Sequence, residues 1–230
     1  MAVHRIRKGL DIPIAGAPRR TVTPGPETTR VALVGDDFPG LKPRMRVEVG
    51  QVVRRGEVLC DDAAIPGVCH MAPGAGVIEA IHLGPRRRLD SIVIALSDGE
   101  RSGSPNTDDL VRYDLPEGDP AAWSRSAIRD LLVESGMWTA LRTRPFSKVP
   151  SPDTVPSALF VTAIDTNPLA TDPEIVLADG DARAHFELGL FVIRRLTEGK
   201  TYVCVAAGAN ISRGLEAPVE VEEFAGPHPA

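Results

Sequence analysis

The chain has 230 residues, of which 43% are hydrophobic and 25% charged, a composition typical of one or two soluble globular domains. This composition excludes a disordered chain, a collagen and a multi-span membrane protein, and the net charge of −5 gives no reason to expect a nucleic-acid partner. Aromatic residues make up only 4%, so aliphatic side chains must build the core, and the 21 glycines and 21 prolines predict frequent turns.

Charge is unevenly placed along the chain. Residues 1–60 hold eleven Lys or Arg and six acids, whereas the stretch after Arg213 has four Glu and no Lys or Arg. Ends of opposite sign suit either two docking surfaces or ordinary solvated surface.

The N-terminal segment, residues 1–27, is charged, lacks the apolar stretch of a secretory signal, and is expected to pack on the core. The uncharged run from Ala63 to Ile78 contains prolines and glycines, so it is not a membrane helix, and any membrane role must come through partners. Three widely spaced cysteines suit a reducing cytosol better than a disulfide framework.

Residues 28–97 are predicted to form a β domain. Val47, Gly50, Val53, Gly56 and Leu59 recur at every third position, which favours very short strands separated by glycine turns. A turn and a further strand follow at 72–81. The pattern resembles the flattened β-barrel (barrel-sandwich hybrid) of biotinyl and lipoyl carrier domains.

The predicted barrel lacks the lysine on which covalent cofactor carriage depends. Its central hairpin would span Cys60 to Cys69, and no lysine occurs between Lys42 and Lys148. The hairpin also has no C-x-x-C pair, so its cysteines are interpreted as buried small side chains and not as metal ligands. The barrel is therefore expected to be structural or to serve as a docking surface.

Residues 98–119 are polar and rich in Gly and Pro, and are predicted to be a linker. Residues 120–214 are predicted to form an α/β domain with a parallel βαβ unit. Residues 215–230 are interpreted as an acidic tail or the start of a further domain. The elements expected in the α/β domain are a helix capped by Asp119 that stops at Gly136, a strand at 158–164, a helix capped by Asp181, and a strand at 201–206.

Nucleotide and hydrolase fingerprints are missing from the sequence. No G-x-G-x-x-G follows a predicted strand, and neither a Walker loop nor a G-x-S-x-G motif occurs. We therefore expect no catalytic residues, no metal and no cofactor bound by this chain.

Two stretches are candidate ligand sites. The first groups aromatic rings with cations in a proline-interrupted segment: Trp138, Arg142, Arg144, Phe146 and Lys148. The second is the loop Asp165, Thr166 and Asn167, which leaves the carboxyl end of a strand, where open α/β sheets place their ligands. Taken alone, each stretch is better interpreted as ordinary structure.

Four runs of sequence resemble a known family: Leu10–Gly16, Glu134–Pro150, Phe160–Ala170 and Arg195–Cys204. They are similar to the NqrA family, the A-type subunits of the bacterial Na⁺-translocating NADH:quinone oxidoreductases. The similarity runs from about Lys8 to the final G-P-H-P-A. Since family members continue past that motif, the chain resembles the N-terminal part of a longer protein.

The resemblance implies a peripheral position on the cytoplasmic side of the bacterial inner membrane, with the isolated chain soluble. It implies a role in ubiquinone binding and assembly within respiratory electron transfer coupled to sodium export, with no activity of the chain alone. Other subunits would carry FAD, FMN, riboflavin and the iron–sulfur or iron centres, and the B-type membrane subunit (NqrB) would be the main neighbour. Matching the motif carries the quinone role to Trp138, Arg142, Arg144, Phe146 and Lys148.

Two other interpretations stay open at this point. One is the C-type subunit of the related ion-pumping ferredoxin:NAD oxidoreductase, although that family carries cluster motifs and nucleotide-binding glycines that are not seen here. The other is a non-catalytic docking scaffold, which the lysine-free barrel and the oppositely charged ends would suit.

Overall fold

The computed structural model describes residues 3–178 and 180–229, which form two compact units. The barrel unit comprises Gly25–Pro116 and Arg129–Thr154. The sheet unit comprises the described residues of Met1–Pro24, Glu117–Ile128 and Val155–Ala230. Met1, Ala2 and Ala230, which belong to the predicted N-terminal segment and tail, lie outside the described residues.

The barrel unit contains two antiparallel sheets, as the sequence predicts. One sheet has the order β2-β8-β7-β4 and the other β3-β5-β6. The strands are β2 (Arg30–Val34), β3 (Pro43–Met45), β4 (Val52–Val53), β5 (Val58–Asp62), β6 (Cys69–Met71), β7 (Gly76–Leu83) and β8 (Leu89–Leu96). Buried aliphatic side chains form its core: Leu33, Val47, Val53, Leu59, Ile78, Leu89, Ile92 and Ile94. The barrel-sandwich architecture is therefore confirmed.

The three-residue repeat works as predicted. Val47, Val53 and Leu59 are buried in the barrel core. Gly50 and Gly56 between them have φ of 89° and 87°, a backbone conformation that side-chain-bearing residues rarely adopt. The repeat thus alternates a core side chain with a turn that only glycine makes easily.

The stretch predicted to be a linker is attached to the barrel. It contains the short helix α1 (Asp98–Arg101), whose Glu100 accepts hydrogen bonds from the Arg55 guanidinium and, at 2.9 Å, from the backbone N–H of Ala75. Further along, the Tyr113 hydroxyl donates to the Gly56 carbonyl at 2.8 Å. Residues 98–116 accordingly belong to the barrel unit.

The sheet unit is built on four parallel strands in the order β1-β11-β10-β9. Its elements are β1 (Val3–Arg5), β9 (Ala158–Ala163), α3 (Pro173–Leu177), α4 (Ala182–Ile193), β10 (Lys200–Ala206) and β11 (Glu220–Ala225). The predicted β9–α4–β10 crossover is confirmed, and Leu190 of α4 is buried against Val203 and Val205.

The outer strands of this sheet differ from the prediction. The supposed acidic tail contains β11, an interior strand that pairs with both β10 and β1. Val221 alternates there with Glu220 and Glu222, which is the pattern of a strand packed on one face only. Part of the predicted N-terminal segment is likewise a strand, since β1 pairs with β11 from the far end of the chain.

The helix predicted from Pro120 starts later. Asp119 accepts a hydrogen bond from the Ala121 N–H at 2.9 Å, but the turn it caps is a 3₁₀ turn over Pro120–Ala122. Trp123 is extended (φ −55°, ψ 146°) and breaks the backbone, so the α-helix proper, α2, spans Arg125–Glu134. The predicted stop holds, because Gly136 has a positive φ of 73°.

Candidate functional site

The first candidate site lies on the irregular stretch 137–150 of the barrel unit, called here the 137–150 segment. It begins with a 3₁₀ turn over Met137–Ala140, directly after Gly136. A Cβ at Gly136 would collide with the Met71 side chain of β6, so glycine is needed both for the positive φ and for the close approach.

Trp138 anchors the segment from inside. Its side chain is only 4% exposed, and its indole N–H donates to the Pro150 carbonyl at 2.8 Å. This bond ties the first residues of the segment to the last. The ring face of Trp138 is therefore committed to packing and is not presented to a ligand.

Arg142 fixes the segment to the turn before β3. Its guanidinium carbon lies 5.1 Å from the centre of the Phe38 ring, within cation–π range. It donates to the carbonyls of Thr139, Leu141 (3.0 Å) and Asp37 (3.3 Å). Because backbone acceptors and a ring hold this guanidinium, Arg142 acts as an anchor.

His70 lies behind Phe38. The two rings meet edge to face with centroids 4.4 Å apart, and His70 is 1% exposed. Neither ring nitrogen of His70 has a hydrogen-bond partner among the residues that the structure describes. Burial, followed by the positive charge of Arg142, lowers the pKa of His70, while Asp62 opposes this. The imidazole is therefore neutral, as an apolar part of the wall that Phe38 leans on.

The tip of the segment carries three exposed side chains: Arg144, Phe146 and Lys148. Phe146 is 73% exposed, a high value for an aromatic ring. The tip is closed by two backbone hydrogen bonds of 2.8 Å, from the Thr143 N–H to the Lys148 carbonyl and from the Ser147 N–H to the Thr143 carbonyl. The structure thus separates the five predicted residues into two anchors and a tight loop that presents a ring and two cations.

The second candidate loop lies in the sheet unit, where β9 ends. Asp165 and Asn167 border an open depression of about 590 Å³ whose apolar wall includes Val176 and Phe186. The Asp165 carboxylate accepts from both the backbone and the side-chain N–H of Asn167, each at 2.8 Å. Thr166 instead lies 2.9 Å from the Nδ1 atom of His228. The loop's polar groups are therefore engaged mainly with the protein itself.

A second depression, of about 410 Å³, adjoins the same loop at the carboxyl ends of β9 and β10. Arg20 forms ion pairs there with Asp172 at 2.8 Å and Glu174 at 3.0 Å. The backbone N–H of Asn210 and then Arg20 hold the pKa of Glu174 below its usual range. The charges at this mouth are balanced within the unit, which leaves shape and apolar wall as its means of binding.

The cysteines do not form a reactive or metal-binding centre. Burial raises the pKa of Cys60 to about 12, and burial together with Asp61 raises the pKa of Cys69, so both thiols are protonated at neutral pH. Within residues 3–178 and 180–229, no three His, Cys, Asp or Glu side chains are grouped so as to hold a metal ion.

Sequence reasoning missed Phe38 and the use made of His70. Phe38 sits in an irregular turn between two strands, where an aromatic ring has no periodicity to mark its role. The adjacent Cys69 and His70 were assigned to the core, which is correct for His70, but its position beneath the cation-carrying ring depends on tertiary packing. A phenylalanine inside a Gly- and Pro-rich turn is the only local signal.

Comparison with known proteins covers both units. The model of the NqrA N-terminal barrel-sandwich hybrid domain matches residues 4–97, and that of the NqrA second alpha/beta domain matches residues 123–230. Proteins named as the A-type polypeptide of Na(+)-translocating NADH-quinone reductase are 48% identical in Saccharophagus degradans and 46% identical in Serratia proteamaculans and Neisseria gonorrhoeae.

Each alignment spans 226 residues, which is 98% of this chain and 48% or 49% of the relative. The chain therefore spans about half the length of the curated relatives it matches. Two family models on consecutive parts of the chain, together with identity near one half over almost all of it, show that the chain belongs to the NqrA family of Na⁺-translocating NADH-quinone reductases.

Proposed function

We propose that this chain works within a Na⁺-translocating NADH:quinone reductase, where it contributes to ubiquinone binding and to assembly of the complex. The names of its relatives support this role and favour the sodium pump over the ferredoxin-linked pump. Among the described residues, the helices are too short or too polar to cross a bilayer. The proposed position is peripheral, on the cytoplasmic side of the inner membrane beside NqrB.

The tip of the 137–150 segment is the proposed contact for the quinone head. A quinone is a flat ring with two carbonyl acceptors that gain negative charge on reduction. Phe146 supplies an exposed ring face, and Arg144 and Lys148 supply N–H donors beside it. The observation that carries the proposal is an exposed aromatic ring between two exposed cations on a loop whose base is anchored by Trp138.

The test is made in the assembled complex with Arg144→Ala and Lys148→Ala. Loss of one charged hydrogen bond costs about 1.5–3 kcal/mol, so quinone affinity or turnover is expected to fall about ten- to a hundredfold. NADH oxidation by an artificial acceptor and the set of polypeptides in the complex stay unchanged. Arg112→Ala, an exposed arginine of the barrel unit outside the segment, is the matched control.

The docking scaffold is the second candidate function. The hydrogen bonds of Trp138 and Arg142 favour it, because both side chains stabilise the segment without facing a ligand. A scaffold predicts that Arg144→Ala and Lys148→Ala weaken assembly while the complexes that do form reduce quinone normally. Either that result or normal assembly with normal quinone reduction would remove the proposed quinone contact.

The loop Asp165, Thr166 and Asn167 remains a second proposed contact for a flat ligand. Its support is the apolar wall of the depression beside it. Val176→Arg, which places a long charged side chain on an exposed position of that wall, is expected to weaken any quinone-analogue binding by the sheet unit and to leave binding at the tip unaffected.

A further inference from the structure

The parallel sheet of the sheet unit has two unlike faces. Side chains alternate between faces along each strand, and Val203 and Val205 of β10 point toward α4 with no exposure. Phe160 of β9 points the other way and is 61% exposed. This second surface is called here the open face. Its side chains are His4 of β1, Phe160 and Thr162 of β9, Lys200, Tyr202 and Cys204 of β10, and Glu220, Glu222 and Phe224 of β11.

Aromatic rings lie flat against one another across the open face. Phe160 stacks on Tyr202 of the neighbouring strand with centroids 5.1 Å apart and planes 12° apart. His4 stacks on Phe224 at 5.0 Å and 25°. Rings held side by side in this way make a level apolar surface, which suits a broad packing partner better than a small ligand in a pocket.

The charged groups of the open face already have partners. Lys200 pairs with Glu220 at 2.7 Å, and His4 lies 2.7 Å from Glu222. Because these groups are paired across neighbouring strands, the face does not call for a strongly charged partner. Its unmet requirement is cover for the rings, which an amphipathic helix provides with its apolar side.

A parallel sheet normally has helices on both faces, since each face must bury its apolar side chains. Here α4 covers one face, and about half the length of the relatives has no counterpart in this chain. We infer that the open face is a docking surface for a further segment of the full-length NqrA polypeptide, an amphipathic helix from the half of the relatives that this chain does not match, seated on Phe160 and Tyr202.

Cys204 provides a built-in probe of this cover. It lies on the open face between Thr162 of β9 and Glu222 of β11 and is half-buried there. Cys69, also half-buried, lies in the barrel unit and serves as an internal reference. A thiol reacts with maleimide only as far as the reagent reaches it, so the ratio of the two labelling rates reports cover over the open face.

The experiment compares this chain with a fusion in which the part of the Saccharophagus degradans relative beyond the match follows residue 230. Labelling is followed by peptide mass spectrometry at about pH 8.5, where more thiolate is present. In the fusion we expect Cys204 to react about tenfold more slowly or less, because it reacts only when the covering helix opens, with Cys69 unchanged. Phe160→Ser should restore labelling in the fusion, whereas Leu115→Ser, an exposed leucine of the barrel unit, should not.

Three results would overturn the inference. One is equal labelling of Cys204 in both proteins. Another is a Cys204 that is already protected in this chain while the chain sediments as a dimer, since a second copy would then cover the face. If the fusion fails to fold, the unmatched half is coexpressed as a separate chain, and its failure to copurify with this chain, or equal copurification with the Phe160→Ser variant, is the third.

Discussion

At the scale of single residues, burial of His70 makes the neutral imidazole a condition for folding of the barrel unit. The pKa of His70 in the fold is lower than its ordinary value of 6.5. Between that value and the lower value in the fold, the unfolded chain therefore binds more protons than the folded chain. The free energy of unfolding contributed by this group is complete above about pH 6.5 and is lost as the pH falls below it.

The prediction is a fall in the stability of the barrel unit between about pH 7.5 and about pH 5.5 that disappears in His70→Leu. Leucine fits because the ring nitrogens have no partners among the described residues. Trp138 fluorescence during urea unfolding, in a Trp123→Phe background, reports this unit because the other tryptophan lies in the sheet unit. His82→Leu, at an exposed histidine, is the control. An unchanged pH dependence in His70→Leu would disprove the assignment.

The candidate site shows which residue properties a sequence reveals. Arg144, Phe146 and Lys148 could be predicted as presented side chains, because prolines interrupt the segment and exclude a regular helix. The burial of Trp138 could not be predicted, since its partner is a carbonyl twelve residues away that meets it only when the segment folds back. The contact of Arg142 with Phe38 is still less local, because more than a hundred residues separate them.

At the scale of elements, Trp138 decides whether the 137–150 segment stays closed. Trp138→Ala removes a buried indole and the bond to Pro150, a loss of about 3–5 kcal/mol, whereas Trp138→Phe keeps most of the packing and loses about 1 kcal/mol. Limited trypsin digestion at Arg142 and Lys148 is therefore expected to accelerate strongly in Trp138→Ala and only slightly in Trp138→Phe.

Met137→Ala is the matched control for this digestion, because Met137 is the preceding residue of the same 3₁₀ turn and is 58% exposed. Its cleavage rate should equal that of the unmodified chain. If Trp138→Ala and Met137→Ala are cut at the same rate, the segment is held by other contacts and Trp138 is not its anchor.

Elements with a local period were predictable, and those that depend on distant pairing were not. The three-residue repeat of the barrel and the β9–α4–β10 crossover follow from spacing alone, because their core positions recur along the chain. The three residues of β1 carry no pattern, and they form a strand only because β11 offers a free edge. In β11 the alternation of Val221 with glutamates was a usable signal, but the excess of acidic residues obscured it.

At the scale of the whole molecule, the described residues provide little chemistry of their own for electron transfer. The hairpin between β5 and β6 has no lysine for a covalent cofactor, and Cys60 and Cys69 are protonated thiols. The described residues hold no group of metal-ligating side chains, and the sequence has no phosphate-binding glycine motif. We therefore propose that FAD, FMN, riboflavin and the iron centres of the complex belong to partner subunits.

The resulting prediction is that the purified chain is colourless. Its absorption spectrum should show the protein band without flavin bands in the visible region, and elemental analysis should find iron far below one atom per chain, because the chain offers neither a covalent attachment point nor a ligand set among its described residues. Incubation with excess FMN or riboflavin followed by gel filtration provides the control for weak binding and should leave the chain unlabelled. A flavin that stays bound in a one-to-one ratio, with or without that incubation, would contradict the prediction and would point to the depression lined by Asp165 and Phe186 as the place to search for its site, because flat rings fit an apolar wall at the carboxyl end of a parallel strand.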